Sequence, residues 1–314
     1  MIPKVSVIIP VYNGEESIFI SLDSLLKQTY PNFEVVIIDD GSKDGTREVV
    51  EKFVSMDSRF KYNFKTNGGV STARNIGLKV SQGEYVCFLD SDDFYENSFI
   101  EKMLNKIERE LADVCYCGYN IVSPRGKNKK RTRFKSGEVL VDYILGKISI
   151  HTTGWMIRKK IISEFDIKFL EGVSWGEDFE FFCEVLAKTN KTTYVKDYLT
   201  NYRVDFEENR LSAFSLDKID KDFESIQRIV NNTTINKTIL IEKALKEYRL
   251  PALLIYRLNR AIEDEMNMDN AIILYNKYKN NFDVISLNNG LRSIKLIMTK
   301  LKLSRLTIKT NENR

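Results

Sequence analysis

Val35-Val36-Ile37-Ile38-Asp39-Asp40-Gly41-Ser42 and Tyr85-Val86-Cys87-Phe88-Leu89-Asp90-Ser91-Asp92-Asp93 are the two stretches that decide the fold. Each is an apolar run that ends in carboxylates, the pattern of a strand buried on both faces that emerges into a polar loop. Residues 5–11, VSVIIPV, have the same character. Residues 17–28 follow as a helix, with Ile18, Leu22, Leu25 and Leu26 on one face. The alternation continues with a strand at 34–39, a helix at 44–56, a short strand at 60–65, a helix at 70–81 and a strand at 84–89. Strands alternating with helices predict an α/β protein with a mainly parallel sheet and right-handed crossovers. The acidic ends then lie on the carboxyl edge of the sheet, where such proteins bind ligands.

After Asp93 the regularity weakens. A helix at 98–111, a strand at 113–121 and a polar turn at 123–130 predict a mixed second half, and from Leu216 onward the segments read as helical. A length of 314 residues suits about two domains. The content of 43% hydrophobic and 29% charged residues places the chain among globular proteins rather than disordered ones. Met1-Ile2-Pro3-Lys4 leads straight into a strand, without the pattern of a secretory signal, and no apolar stretch approaches the roughly 20 residues needed to span a bilayer. A cytoplasmic protein is expected.

Cys87, Cys115, Cys117 and Cys183 sit in apolar sequence with neither metal-pair nor disulfide spacing, so buried free thiols are expected. The single histidine, His151, argues against His-rich zinc sites and leaves one candidate for a Ser/His/Asp triad. A net charge of +4 is too small to imply nucleic-acid binding.

Four motifs carry chemistry. Asp90-Ser91-Asp92 places carboxylates at i and i+2, on one side of an extended chain, and such a pair suits a hard cation, Mg²⁺ or Mn²⁺. A solvated acidic loop would read the same. At Asp39-Asp40-Gly41-Ser42 a carboxylate could accept a ring N–H or a ribose hydroxyl, while Asp40 and Asp44 would also serve as turn or N-cap acceptors. Asn67-Gly68-Gly69 runs into a helix carrying Arg74, an arrangement that favours anions, although it matches neither the dinucleotide nor the P-loop pattern. Gly176-Glu177-Asp178 precedes a helix rich in phenylalanine, where Asp178 could act as a base or simply favour the helix dipole. Trp155 and Trp175 could stack on a sugar or belong to the core.

Together, in this order and spacing over residues 3–213, VSVIIPVYNGEESI, IIDDGSKDGT, NGGVSTARNIGL, FLDSDD, GED and NYRV resemble the bacterial family 2 glycosyltransferases of capsule and surface polysaccharides. The resemblance implies a GT-A fold, with residues 1–213 as the transferase domain and 214–314 as a helical C-terminal region. It assigns residues 1–95 to a nucleotide-sugar, usually a UDP-sugar, and 96–213 to the acceptor. It implies that Pro10, Tyr12 and Glu15 flank the nucleotide, that Asp39 or Asp40 holds uracil, and that Asn67, Arg74, Asp90 and Ser91 belong to the same binding set. Asp92 would be the direct ligand of Mn²⁺ or Mg²⁺, with Asp90 on ribose or the ion's water shell. Asp178 would be the base of an inverting transfer to a lipid-linked or other glycan acceptor. Two departures stand out: glycine in Asn67-Gly68-Gly69, where many relatives have a bulkier residue, and Val204-Asp205, where a histidine is common.

Other readings of the same motifs are a sugar nucleotidyltransferase or a non-catalytic glycan-binding module, but the first lacks its glycine-rich signature and the second would more often have lost the acids. The basic run Arg125, Lys127, Lys129, Lys130, Arg131, Arg133 and Lys135 reads as a solvated hairpin or as attraction to lipid phosphate. Leu287, Leu291, Ile294, Met298 and Leu301 form a helical stripe with Lys295, Lys300, Lys302, Arg305 and Lys309 nearby. This stripe suits a peripheral contact with the inner face of the membrane, packing on the catalytic domain, or an oligomer through the C-terminal helices.

Overall fold

The structure, a computed structural model, describes residues 2–204, 215–235, 237–263 and 268–312. Two compact units divide the chain: residues 1–139 with 147–206, and residues 140–146 with 207–314. The boundary expected after residue 213 falls outside the described residues, and residues 140–146, expected in the first domain, cluster with the second unit.

In the first unit, β1 (Val5–Val11), β2 (Phe33–Asp39), β3 (Phe60–Phe64) and β4 (Tyr85–Phe88) are parallel in the order β3-β2-β1-β4. Their connections are the helices α1 (Ile18–Leu26), α2 (Thr46–Met56) and α3 (Val70–Val80). Registers of Val11 with Asp39 and Asp39 with Phe64 bring the strand ends to one edge. The sheet continues through β8 (Trp155–Arg158), β6 (Val114–Ser123), β9 (Thr192–Arg203) and the two-residue β5 (Phe94–Tyr95). β8 runs antiparallel to both β4 and β6, whereas β6 and β9 are parallel.

Alternate residues of β1 and β2, Val5, Val7, Ile9, Val11, Val35 and Ile37, share a core with Leu22 and Leu25 of α1, Phe53 of α2, and Ile100, Met103 and Leu104 of α4 (Phe99–Arg109). The period-2 alternation thus gives each strand two buried faces. α3 packs on the opposite face, so closely that a Cβ on Gly77 would lie 2.3 Å from Ile8 Cγ2. α6 (Lys159–Glu164) and α7 (Glu177–Ala187) complete the unit, and all four cysteines are buried and free.

The polar turn expected at 123–130 is instead a hairpin in which β7 (Gly126–Lys129) pairs with the end of β6. Ser123 faces Gly126 across Pro124-Arg125, and Gly126 takes φ +118°, a value open to glycine at little cost.

The second unit is helical among its described residues. α5 (Leu140–Ile144) clusters with α8 (Asp217–Asn231), α9 (Ile239–Ala244), α10 (Leu250–Glu263), α11 (Met268–Tyr278) and α12 (Leu291–Glu312). A π turn, Leu245–Arg249, joins α9 to α10. Leu254, Ile255, Leu258 and Ala261 of α10 are buried, as are Leu296 and Leu303 of α12. The apolar stripe read from the sequence lies on the other side of α12: Leu291, Ile294, Met298 and Leu301 are exposed.

Replacing Gly77 with alanine forces a methyl group into Ile8. Urea unfolding of Gly77→Ala should show a loss of about 1–3 kcal/mol, although alanine is the better helix former.

Candidate active site

The carboxyl edge of β1 and β2 is built from interlaced loops. Asp40 N donates to Val11 O, Asn13 N to Ser42 Oγ and Gly14 N to Thr46 Oγ1. Glu15 and Asp44 cross the gap in opposite directions: Gly45 N donates to Glu15 Oε2 at 2.9 Å, and Glu15 N to Asp44 Oδ2 at 3.1 Å. Pro10 is buried beneath these loops, and Tyr12 stands exposed above them.

Asp39 and Asp40 are both engaged by the protein. Asp39 accepts from Ser42 N and from the Tyr62 hydroxyl, each at 2.7 Å. Asp40 accepts from Gly68 N at 2.9 Å and Gly69 N at 2.7 Å, and pairs with Lys65. One carboxylate therefore fixes the Asn67-Gly68-Gly69 turn, with Asn67 exposed and Gly69 at φ +93°. That turn sets where α3 begins, and so where Arg74 lies on its second turn.

Arg74 is 5% exposed, between carboxylates from two other segments. Its Nη2 donates to Asp90 Oδ1 at 2.9 Å, its Nη1 is 3.5 Å from Glu177 Oε1, and the guanidinium lies 5.1 Å from the centre of the Phe169 ring. Nε and Nη1 are buried without a hydrogen-bond partner. Burial opposes the charge, but Asp90, Glu177 and Asp178 outweigh it and hold the guanidinium above its ordinary pKa.

Beside this pair, the ligand atoms of Asp90, Asp93 and His151 lie within 4.8 Å of one another, close enough to share a metal ion. Two carboxylates and an imidazole suit a divalent first-row metal such as Mn²⁺. Asp92, expected as the direct ligand, stands outside this group, although Asp90 is in it. Asp93 also accepts from Arg203 N at 3.0 Å, and Ser91 follows Asp90 near Gly14. His151 stacks on Tyr202 at 4.5 Å, and its Nδ1 is 3.4 Å from Asp93 Oδ2. Burial lowers the imidazole pKa against the pull of Asp90, Asp178 and Asp92, favouring the neutral, metal-binding form.

Asp178 lies in the first turn of α7, two residues after Gly176 at φ +86°. It accepts from Thr152 Oγ1 at 2.8 Å through Oδ2 and from Phe179 N at 2.6 Å through Oδ1. Thr152 lies in the single turn after His151, so one short segment touches both the Asp93 cluster and Asp178. Glu177 is pushed above the ordinary carboxylate range by burial and then by Asp178, with Arg74 opposing. Trp155 is core, stacked on Phe182 at 4.7 Å. In the basic run, Lys127 pairs with Glu96 and Lys129 lies over the Tyr198 ring.

Sequence reasoning thus gave Asp90, Arg74 and Asp178, which the fold brings together with Glu177. It counted Asp93 and Glu177 only as supporting acids without an assigned role, and it did not place His151 or Thr152 in the site, because nothing local distinguishes His151-Thr152. Asp205, noted for its departure from the common histidine, lies outside the described residues.

The family model described as glycosyl transferase family 2 matches residues 6–166. An uncharacterized glycosyltransferase of Haemophilus influenzae is 47% identical over 192 residues, 60% of this chain and 74% of that protein. The uncharacterized glycosyltransferase EpsJ of Bacillus subtilis is 28% identical over 212 residues, 65% of this chain, and this chain spans 62% of its length. The crystal structure of S. aureus TarS 1–349 in complex with UDP-GlcNAc superposes with a TM-score of 0.69 at 23% identity, covering 99% of this chain and 92% of that one. That likeness shows the GT-A fold expected from the motifs.

The raised Glu177 pKa has a consequence for stability. At low pH Glu177 is protonated both folded and unfolded, so Glu177→Gln should match the wild type. As pH rises past the ordinary carboxylate range the unfolded chain ionises first, and the wild type loses stability until the folded group ionises too. Thermal unfolding should therefore show Glu177→Gln melting higher at pH 8 and equally at acid pH; a lower melting temperature at pH 8 would contradict the shift.

Proposed function

Because the chain belongs to glycosyl transferase family 2, we propose that it moves a sugar from a nucleotide-sugar, a UDP-sugar, to a hydroxyl of a glycan acceptor with inversion at the anomeric carbon. The observation that carries this reading is the convergence of Asp178, Arg74 and the Asp90-Asp93-His151 cluster at the carboxyl edge of the sheet. A base, a fixed cation and a donor set for a metal are what transfer from a diphosphate requires.

Asp178 takes the acceptor proton as the acceptor oxygen bonds to the anomeric carbon and the bond to the diphosphate breaks. Thr152 holds the carboxylate through the 2.8 Å hydrogen bond to Oδ2. Arg74 supplies permanent positive charge beside Asp90, where the leaving diphosphate gathers negative charge. Asp90, with Asp93 and His151 or with Asp92, would hold Mn²⁺ or Mg²⁺, and such an ion would supply positive charge to the departing group. The uracil N3–H is assigned to Asp39 or Asp40, whose orientation is set by Ser42, Tyr62, Gly68 and Gly69, with Pro10, Tyr12, Glu15, Asn67 and Ser91 around the nucleotide. UDP-GlcNAc in the TarS structure supports a uridine donor.

The acceptor is assigned to residues 96–213, and the donor to residues 1–95. A lipid-linked or other glycan acceptor in bacterial surface polysaccharide synthesis is proposed from the sequence motifs, with the chain at the inner face of the membrane. Among the described residues no helix is long and apolar enough to cross a membrane, so the contact proposed is peripheral.

A screen of UDP-sugars with Mn²⁺, reading UDP release and product, tests the assignment. Asp178→Asn should lower transfer by about 10²–10⁴-fold while donor binding persists. If full transfer survives, Asp178 is not the base. Thr152→Val should cost about 1 kcal/mol in the transfer barrier, and Thr152→Ser should restore it. Comparing Mn²⁺ affinity in Asp92→Ala and Asp93→Ala separates the two ligand sets, since the true ligand's loss weakens binding far more.

A further inference from the structure

We infer that the outward face of α12 docks on an anionic phospholipid surface. This deepens the peripheral contact proposed above by naming its surface and lipid class, and it does not depend on the transfer reaction. The helix packs through Ser293, Leu296 and Leu303, each 0% exposed. On its other side Leu291, Ile294, Met298 and Leu301 are 84%, 48%, 65% and 53% exposed, a stripe that spans about 15 Å at the helical rise. Leu287, in the short 3₁₀ turn before Gly290, is also exposed at 64%. So the helix is apolar on two sides, and its second apolar side faces outward.

Charge identifies the occupant. Lys295 and Lys302, one heptad apart, are exposed along one flank of the stripe, and exposed Arg305 continues it. Lys300 pairs with Asp283, and Arg292 donates to Leu145 O. No acidic residue occurs between Asp283 and Glu312. A two-fold contact between copies of this face would set Lys295 and Arg305 against like charges with no acid on the stripe to answer them. An anionic bilayer answers Lys295 and Arg305: the apolar side chains enter the boundary between headgroups and acyl chains, and the cations lie at phosphate level.

The test uses the full chain and co-sedimentation with vesicles of phosphatidylcholine, with and without phosphatidylglycerol. Partitioning should rise at least about tenfold with the anionic lipid and fall as salt is raised. Leu291→Ser with Met298→Ser should abolish it, and Lys295→Glu with Arg305→Glu should remove the lipid preference. Because these side chains are exposed, thermal melting should stay unchanged in both variants, which separates lost docking from lost folding. Equal partitioning with both lipids would overturn the inference, as would light scattering showing a dimer that Leu291→Ser with Met298→Ser dissociates.

Discussion

The site depends on the burial of one charge, the guanidinium of Arg74. At 5% exposure it cannot rely on water, so the fold must supply its counter-charges. They come from Asp90, after β4, and Glu177, at the start of α7. Three segments distant in sequence are thereby fixed to a common point. Glu177 bears part of the cost, since its own burial and the neighbouring Asp178 resist its ionisation.

A second carboxylate determines how Arg74 arrives there. Asp40 accepts from the backbone of Gly68 and Gly69, so the end of β2 anchors the turn from which α3 departs. Gly77 lets that helix lie against Ile8 of β1. The arginine is thus held at both levels, by the path of its helix and by the ions around its head group. Asp39 and Asp40 consequently organise the loops as well as facing the proposed nucleotide, and the sequence could not separate those two roles. An acid that receives backbone N–H groups in a turn has the same local signature as one that waits for a base.

The legible part of the fold was the part written in local periodicity. Apolar runs gave β1, β2 and β4, the last two ending in acids, and the helical spacings gave α1, α2 and α3 within a residue or two of their ends. The hairpin at 123–130 was read as a turn because Lys127, Asn128 and Lys129 have no apolar face; β7 forms by backbone pairing to β6 with its side chains exposed. Of the site, Asp90, Arg74 and Asp178 could be found because each sits in a recognisable segment. His151 and Thr152 could not, since they enter through a single turn whose neighbours carry no pattern.

The stripe on α12 draws the line between the two sources most clearly. Its helical spacing and its cations are properties of the sequence. Which side of the helix is covered is not, because Leu296 and Leu303 also recur at helical spacing and both sides are apolar. The sequence by itself determined the alternation of strands and helices, the acidic ends at the carboxyl edge and the family to which these motifs belong, because each follows from order along the chain. Only the tertiary structure decided that Asp93 and His151 join Asp90, that Thr152 holds Asp178, and that the stripe faces outward. Those facts are distances between segments far apart in sequence, and packing sets them.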